Sequence, residues 1–423
     1  MPKGGGHLGK QISRPLELLF ACIFVIMIGY GVTLTVLPYY AERIHGLAGT
    51  DQRVVSFHIG LLTSVYALAQ LVVSPFIGRI GDRVGRRPLL LFGLAAMAAT
   101  QGIFGLVTSL GPLYVLRILA GIATAGILVS ASAYVADSTS KRDRSRGMAW
   151  FGTAVSLGFV AGPLLGGLLS RPGFSIAVGG ASIDGYAIPF LFSGLLAVII
   201  LIVAWWGLPE SIGVHPPEPE SRAVDEHDGR ATPSLGILLS LVTAAQFGLA
   251  LFEGVFVLYA QGRLGLQAGQ ASLAFMVCGS VMAVSQVALV VPLAKVVAPL
   301  LQVAVGFILM GGGIFALITT GNFPLLLVMI GVLALGTALV TPNLSALVSL
   351  RSRYRTGKAL GLNSSASSLG QFIGPLLGVI LLGWQAASPF VLSGVVLGAV
   401  GIAIAISYPM RVAWDLRGAA KHS

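Results

Sequence analysis

The sequence predicts an all-α membrane protein in which twelve transmembrane helices form two pseudo-symmetric six-helix bundles. Three observations predict this fold: a very apolar composition, twelve apolar runs of membrane-spanning length, and a repeat of one half of the chain in the other. Of the 423 residues, 56% are hydrophobic and only 10% are charged, whereas soluble domains carry about 25% charged residues. This composition excludes an ordinary soluble enzyme, a disordered chain and a nucleic-acid-binding module.

A membrane helix needs about 20 mostly apolar residues, and twelve runs meet that requirement. The first run is too long for a signal peptide, so we interpret it as a helix of the mature protein. The weakest boundary lies between the eighth and ninth runs, where only Lys295 interrupts the apolar sequence. The predicted spans are 17–41, 57–79, 87–108, 110–136, 145–170, 186–207, 235–260, 268–294, 297–320, 323–349, 356–384 and 386–410.

The distribution of basic residues predicts how the helices are oriented, because Lys and Arg concentrate in cytoplasmic loops. With the N-terminus in the cytoplasm, the cytoplasmic segments hold 21 of the 26 Lys and Arg residues, and the outer loops hold four. Arg117 is the one basic residue in the interior of a span, away from its ends. We therefore expect both termini in the cytoplasm, and the net charge of +11 reflects topology and not a nucleic-acid partner.

Residues 208–234 are the only long polar stretch between spans, and they hold six of the fifteen acidic residues together with several prolines. Such a composition predicts a flexible linker. It divides the chain into an N-terminal six-helix bundle, 1–207, and a C-terminal one, 235–423. The halves repeat, since SLGFVAGPLLGG at 156–167 returns as SLGQFIGPLLGV at 368–379. Repeats of one orientation are typical of transporters with a substrate site between the halves near mid-membrane.

The loop after the second span reads GRIGDRVGRRP and combines three glycines, an acid and an arginine cluster. Gly78 is expected to permit close helix approach, and Gly85 a tight turn. An aspartate here can face a helix N-terminus or an arginine, and the arginines can grip a carboxylate on a neighbouring helix. Such contacts would lock one face of the protein in one state only. The predicted latch comprises Gly78, Asp82, Arg83, Gly85, Arg86, Arg87 and Asp137, the last at the inner end of the fourth span.

The fourth and fifth spans carry two further signals. An arginine within a span is costly, so Arg117 is expected to face a cavity or a partner; the alternative is a structural arginine bonded to neighbouring carbonyls. In the fifth span, small residues permit close packing and a proline bends the helix. These residues are Gly158, Gly162, Pro163, Gly166 and Gly167.

These motifs resemble the major facilitator superfamily. Residues 78–87 match its loop signature G-x-x-x-D-R-x-G-R-R/K, and Arg117 with Gly121 matches its fourth-helix pattern. The fifth span is similar to the G-x-x-x-G-P-x-x-G-G pattern of drug:proton antiporters with twelve transmembrane helices. The resemblance implies a role for Arg117 in proton coupling, a gating role for Asp137 and a direction of export. In the second half, the counterpart loop at 291–300 keeps only Lys295.

Glu253 is the one acid near the middle of a span, the seventh. A charged carboxylate there costs on the order of several kcal/mol, so the protonated form is favoured and the group suits binding and releasing a proton in each cycle. It could equally pair a cationic drug, or donate one structural hydrogen bond. Some antiporters that the chain resembles use an acid in helix seven and others one in helix one. Here Glu17 lies only at the inner edge of the first span.

The predicted substrate-binding residues combine aromatic surface with a few polar groups. Such a lining suits amphipathic, cationic compounds through apolar contact and cation–π attraction. Packing in the core or against lipid is the alternative for each aromatic residue, and the scarcity of polar groups argues against a sugar. The candidates are Tyr30, Gln70, Gln246, Phe252, Phe256, Tyr259 and Asn343.

The sequence as a whole predicts a proton-coupled exporter of drugs or other small lipophilic molecules that works by alternating access. A specific metabolite, sugar or lipid exporter is the alternative, and a membrane enzyme or a non-transporting receptor are rivals from other classes. The sequence contains no metal motif, nucleophile elbow or P-loop, so we expect no enzymatic activity, cofactor or metal. The expected partners are a small-molecule substrate, protons and the lipid bilayer, without nucleic acid, and the expected form is a monomer in a bacterial plasma (inner) membrane.

Overall fold

The structure, a computed structural model, contains twelve helices long and apolar enough to cross a membrane within its described residues, which confirms the predicted spans. The described residues are 14–44, 49–139, 144–171, 173–178, 181–211, 233–293, 296–351 and 356–419. The helices are α1 (Arg14–Ala41), α2 (Gln52–Val84), α3 (Arg86–Phe104), α4 (Leu110–Ser138), α5 (Arg144–Leu169), α6 (Ile188–Gly207), α7 (Leu235–Leu264), α8 (Ala268–Ser285), α9 (Pro299–Ala316), α10 (Phe323–Arg351), α11 (Thr356–Trp384) and α12 (Ser388–Ala419).

We name the face of the bundle at which α1 begins the terminal face, and the other the far face. Twelve crossings return the chain to the terminal face at the end of α12. Two helix ends have residues that stabilise them locally. The Asp51 carboxylate accepts a hydrogen bond from the Arg53 N–H at the start of α2, at 2.8 Å, which satisfies a backbone donor that the helix leaves free. Gly265 ends α7 in the left-handed conformation with φ 64°.

A short hairpin in the loop between α5 and α6 departs from the predicted all-helical chain. Strands β1 (Ser175–Val178) and β2 (Ala181–Asp184) pair antiparallel, with Ser175 opposite Asp184. Both strands include residues of high β propensity, such as Ile176 and Ile183. The spans themselves are helical as predicted, so the all-α fold class is confirmed and the hairpin is confined to this loop.

The end of α8 is irregular. The helix continues as a π-helical stretch, Gln286–Val290, and one last turn, Val291–Leu293. Pro292 in that turn lacks an N–H and its ring crowds the carbonyl four residues earlier, and a widened π turn before it relieves that crowding. The described part of this span reaches Leu293, and residue 294, the predicted end of the eighth span, lies outside the described residues. Lys295, the expected break, lies outside the described residues.

Glycines bring α5 against α1 and α11 against α7 in the same way. A Cβ atom on Gly162 would lie 2.6 Å from the carbonyl oxygen of Ile28, and one on Gly374 would lie 2.8 Å from that of Phe247. Gly162 and Gly374 hold the same place in the repeated SLGxxxGPLLG sequence. The sequence repeat is therefore also a repeat of helix packing, in which only a glycine permits so close an approach of two backbones.

The wider contact pattern repeats as well. The first six helices pack as α1–α5, α2–α4, α3–α4, α3–α6 and α1–α6, and each pair has its counterpart among the last six, from α7–α11 to α7–α12. The two groups of helices meet mainly through α2–α11 and α5–α8, which are themselves counterparts. This arrangement confirms the predicted pair of related bundles. The division at 208–234 stays a prediction, because residues 212–232 lie outside the described residues.

The two groups of helices join on the far face. One buried apolar cluster contains residues of both groups, and its members on α1 and α2 come from the far-face ends, Ile28–Ala41 and Val55–Leu62. A second cluster contains only residues of the first group, including Leu16 to Met27 of α1 at the terminal face. The apolar core is therefore continuous across both groups toward the far face and separate toward the terminal face.

We predict that Gly162→Ala destabilises the protein, because the added methyl group would force α1 and α5 apart. Overpacking of this kind costs about 1–3 kcal/mol. Gly152→Ala on the same helix is the matched control, since a Cβ there would meet no atom within 4 Å. Thermal unfolding of the two purified variants in detergent measures the difference, and equal melting temperatures would contradict the close helix approach.

Candidate functional site

Glu253 lies on α7 and is buried, with 7% of its surface exposed. The Tyr30 hydroxyl, on α1, donates a hydrogen bond to Glu253 Oε2 at 3.0 Å. The acid and its donor therefore come from the two different groups of helices. An unpaired polar group among apolar side chains is costly. This one hydrogen bond gives both the Tyr30 hydroxyl and the Glu253 carboxyl a partner.

A small cavity of about 10 Å³ adjoins this bond, close to the space that one water molecule requires. Residues of both groups of helices form its wall, so it lies at their junction. The wall includes Glu253 and Gly254 of α7, together with Tyr30, Thr33, Leu34, Leu37, Pro38, Ile59, Thr63 and Arg117 of the first group.

Arg117 of α4 forms part of the same wall and is 3% exposed. Its Nε donates to the Leu62 carbonyl oxygen at 3.0 Å, and its guanidinium lies 4.6 Å from the centre of the Tyr66 ring. A backbone carbonyl and an aromatic face together compensate part of the cost of burying the charge. Among the described residues, Arg117 and Glu253 share the cavity wall without an ion pair between them.

The aromatic residues predicted to bind substrate occupy different places. Tyr30 lines the cavity, as noted. Phe252 and Phe256 are fully buried and pack with Phe275 of α8, at ring-centre distances of 5.0 to 5.8 Å. Tyr259 packs on Phe390 of α12 at 4.8 Å. In this structure the last three predicted aromatics form helix contacts within the second group and do not line the cavity.

The predicted amide residues also lie outside the cavity wall. The Asn343 Nδ2 donates to Gln302 Oε1 at 3.1 Å, which joins α10 to α9. Gln246 accepts from Gln371 Nε2 at 3.2 Å, which joins α7 to α11. Gln70 is buried on α2. Amides in a span need hydrogen-bond partners, and neighbouring helices of the same group supply them for Asn343 and Gln246.

The predicted latch is centred on Arg86. Its Nη2 donates to Asp82 Oδ1 at 2.5 Å, and its Nε donates to Asp137 Oδ2 at 3.2 Å. One guanidinium therefore joins the end of α2 to the end of α4 at the terminal face, inside the first group of helices. Arg83, another arginine of the predicted latch, is exposed.

The turn between α2 and α3 depends on Gly85, whose φ of 109° is a conformation that favours glycine. Glu210, just after α6, accepts hydrogen bonds from the N–H groups of Arg86 and Arg87 at 2.9 and 3.2 Å. The Arg87 side chain donates to the Trp205 carbonyl oxygen at 2.7 Å. The turn thus binds the end of α6. Gly78 makes no close helix approach in this structure, because a Cβ on that residue would meet no atom within 4 Å.

The glycines of the fifth span face two helices. Gly158, Gly162 and Gly166 lie against α1, and a Cβ on Gly167 would lie 2.7 Å from the Ser272 side chain of α8, in the other group. Pro163 lies against Gly31 of α1. The motif therefore supports both the packing within the first group and one of the two junctions between the groups.

Polar contacts close the far face above the cavity. The Tyr39 hydroxyl donates to the Leu266 carbonyl oxygen at 3.2 Å, and Gln261 Nε2 donates to Glu42 Oε1 at 3.0 Å. Both contacts connect the first group of helices to the second. Sequence reasoning missed them, because partners more than 200 residues apart give no local signal.

The hairpin loop is joined to the far-face end of α1. Arg43 Nη1 forms an ion pair with Asp184 Oδ2 at 2.7 Å, and its guanidinium lies 4.6 Å from the Tyr186 ring centre. Burial raises the pKa of the Tyr186 hydroxyl, and the Arg43 charge opposes that rise. The hydroxyl therefore stays neutral at physiological pH.

Sequence reasoning also missed Tyr66 and Glu210, whose positions become informative only once their partners are known.

Comparison with known proteins gives consistent results. Residues 19–298 and 238–421 match the sequence profile of the Major Facilitator Superfamily. The chain is 30% identical over 388 residues to multidrug resistance protein 2 of Bacillus subtilis, covering 90% of this chain and 92% of the relative. It is 24% identical over 399 residues to the quinolone resistance protein NorA of Staphylococcus aureus, covering 93% and 95%.

Two solved structures are similar in fold. The human organic anion transporter MFSD10 matches with a TM-score of 0.68 and 21% identity, covering 92% of this chain and 98% of that chain. A bacterial homologue of the human lysosomal transporter Spinster, in an inward-facing and unoccupied conformation, matches with a TM-score of 0.69 and 16% identity, covering 96% and 94%.

We predict that Arg86→Gln lowers the free energy of unfolding by about 1 kcal/mol, because Asp82 and Asp137 lose a shared cation. Arg83→Gln, on the exposed side of the same loop, should change it by less than about 0.5 kcal/mol. Thermal unfolding in detergent compares the two variants. Equal effects would mean that Arg86 does not hold the loop.

Proposed function

The chain belongs to the major facilitator superfamily, and on that premise we propose that it exports amphipathic, cationic drugs or other small lipophilic molecules in exchange for protons. Members of this family are transporters and act on small molecules within a membrane. The observation that carries the proposal is the buried carboxyl of Glu253, hydrogen-bonded by Tyr30 across the junction of the two groups of helices.

The orientation of the chain is part of the proposal. Because 21 of the 26 basic residues belong to the two terminal segments and to the loops that the predicted spans assign to the same side, the positive-inside rule assigns the terminal face to the cytoplasm. The protein then sits in a bacterial plasma membrane as a multi-pass monomer with both termini inside. The contacts that close the far face, such as Tyr39 with Leu266, then close the exterior side of the cavity.

One carboxyl group suffices to couple the two fluxes. A proton and a cationic substrate both neutralise Glu253, so they bind in turn and each excludes the other. With its carboxylate charged, the inward form binds drug. When the site faces outward, a proton takes the place of the drug. Coupling arises because each ligand binds one form better than the other.

Movement of the two groups of helices is required by the size of the cavity. A volume of about 10 Å³ holds no drug, whereas ligand sites of drug size need about 300–1,000 Å³. We propose that the bundles 1–207 and 235–423 rock about their α2–α11 and α5–α8 junctions, with 208–234 as the linker. Aromatic and apolar residues near Glu253 then line the enlarged cavity.

Two of the predicted motifs receive roles in this cycle. The ion pairs of Arg86 keep the end of α2 fixed to α4, so that the loop moves as one body with the first bundle and gates the cytoplasmic face. The α5 glycines keep α5 against α1 while Gly167 contacts α8, which supports rocking without separation of the junction. Arg117 contributes to proton coupling from the cavity wall.

Arg117 also favours a second candidate, a specific exporter of an acidic metabolite. A buried guanidinium in the cavity wall attracts an anionic group. When Glu253 is protonated, the guanidinium of Arg117 is the remaining charged group among the described residues that line the cavity. In this alternative the substrate and a proton would leave together or exchange with a second anion.

We predict that Glu253→Gln abolishes drug accumulation driven by a proton gradient in inverted membrane vesicles, while flux of drug down its own gradient remains. Glutamine keeps the size and one hydrogen-bond acceptor but binds no proton. Glu17→Gln, an exposed acid at the start of α1, is the matched control and should transport like the wild type. Full gradient-driven transport by Glu253→Gln would refute the role of this carboxyl.

We predict that expression in a host lacking its own efflux pumps raises the inhibitory concentrations of several chemically unrelated lipophilic cations. The physical reason is that a single buried carboxylate and an aromatic wall select for charge and apolar surface, and not for a particular shape. A susceptibility panel measures this. Protection confined to one acidic compound would favour the specific exporter instead.

A further inference from the structure

The hydroxyl group of Tyr30 has a defined partner in the other group of helices. The hydroxyl donates to Glu253 Oε2 at 3.0 Å, while the ring stacks on Tyr66 at 5.7 Å and lies 6.3 Å from Phe159 of α5. A phenylalanine would provide the same ring contacts. What tyrosine adds here is one O–H donor directed at the carboxyl of the other group of helices.

The two stacked tyrosines fill the space between the acid and the arginine. The Arg117 guanidinium carbon lies 4.6 Å from the centre of the Tyr66 ring. The Tyr66 hydroxyl donates a hydrogen bond to Thr124 Oγ1 at 3.1 Å. The groups therefore follow one another as Glu253, Tyr30, Tyr66 and Arg117, from α7 through α1 and α2 to α4. The titratable groups that surround Glu253 are Tyr30, Tyr66, Arg117 and, on α8, Cys278.

A hydrogen-bond donor stabilises the charged form of a carboxyl group more than the protonated form. Hydrogen bonds to an ionised carboxylate are roughly twice as strong as those between neutral groups. The Tyr30 hydroxyl therefore favours the charged form of Glu253 over the protonated form. A carboxylate has about four acceptor sites, so the bond leaves room for a cationic ligand on the same group.

We propose that Tyr30 is a positioning residue that ties the proton occupancy of Glu253 to the approach of α1 and α7. In the form described here the two helices are close, and the donor stabilises the charged form of the carboxyl relative to a site without it. When the groups of helices separate at the far face, the donor withdraws and the carboxyl binds a proton more readily. This inference rests on the proposed function and deepens it, because it explains why the proton is taken up in one form and released in the other.

The test reads the protonation of Glu253 without relying on transport. Dicyclohexylcarbodiimide is a lipophilic reagent that reacts with protonated carboxyl groups, and mass spectrometry of peptides locates its adduct on Glu253. We would measure the adduct between about pH 5 and about pH 9 on the purified full-length protein. Tyr30→Phe removes the donor and keeps the ring, and its melting temperature checks that it folds.

We expect Tyr30→Phe to move the midpoint of labelling to higher pH by about one unit. Tyr134→Phe is the matched control, because it removes a buried hydroxyl that bonds the Pro209 carbonyl far from Glu253, and its midpoint should equal that of the wild type. An unchanged midpoint in Tyr30→Phe overturns the inference, as does a wild type that forms no adduct on Glu253 at any pH tested.

The proposed function fails by a different measurement, namely full gradient-driven transport by Glu253→Gln. If the labelling midpoint shifts as expected while that variant still transports, Tyr30 controls the carboxyl but the carboxyl does not couple transport. If transport is lost in Glu253→Gln and the midpoint does not move in Tyr30→Phe, the coupling stands and the role of Tyr30 falls.

Discussion

Burial of one carboxyl group in the middle of a membrane helix is the constraint on which the functional arrangement depends. Glu253 is 7% exposed and lies within the helix bundle. A charged carboxylate at that depth requires a donor, and Tyr30 provides one from the other group of helices. In the proposed cycle, this bond links the state of a single proton to the distance between the two groups of helices, and alternating access requires such a linkage.

Close packing around glycine holds that bond in place. Tyr30 precedes Gly31, which lies against Pro163 of α5, and Glu253 precedes Gly254, which lies against Pro375 of α11. Each member of the pair therefore sits beside a glycine that lets its helix rest on the proline of the repeated motif. Since helices in lipid associate through fine packing and not through the hydrophobic effect, these small residues are what fix the depth and direction of the two side chains.

The sequence predicted the features that have a local or periodic signal. Twelve apolar runs, the repeated SLGxxxGPLLG and the acid within the seventh span are visible without coordinates. Partners distant in sequence could not be predicted: Tyr30 with Glu253 and Glu42 with Gln261 are each more than 200 residues apart. Burial alone also misleads, since Phe252 and Phe256 have the composition of a ligand wall but pack on Phe275. The helical periodicity of a span indicates which side chains face away from lipid, but it does not indicate which of these face a cavity.

The two groups of helices share their packing but differ in their chemistry. Ile28 and Phe247 occupy equivalent places against Gly162 and Gly374, and by that correspondence the counterpart of Glu253 on α1 is Leu34, which also lines the cavity. A second carboxyl at Leu34 would face the first across the junction, and like charges at short range resist ionisation together. A symmetric scaffold carrying one acid avoids that repulsion. In the proposed function it leaves one group for which a proton and a cation compete, so that the repeated packing would support the movement and the difference between Leu34 and Glu253 would allow that movement to be coupled to a proton.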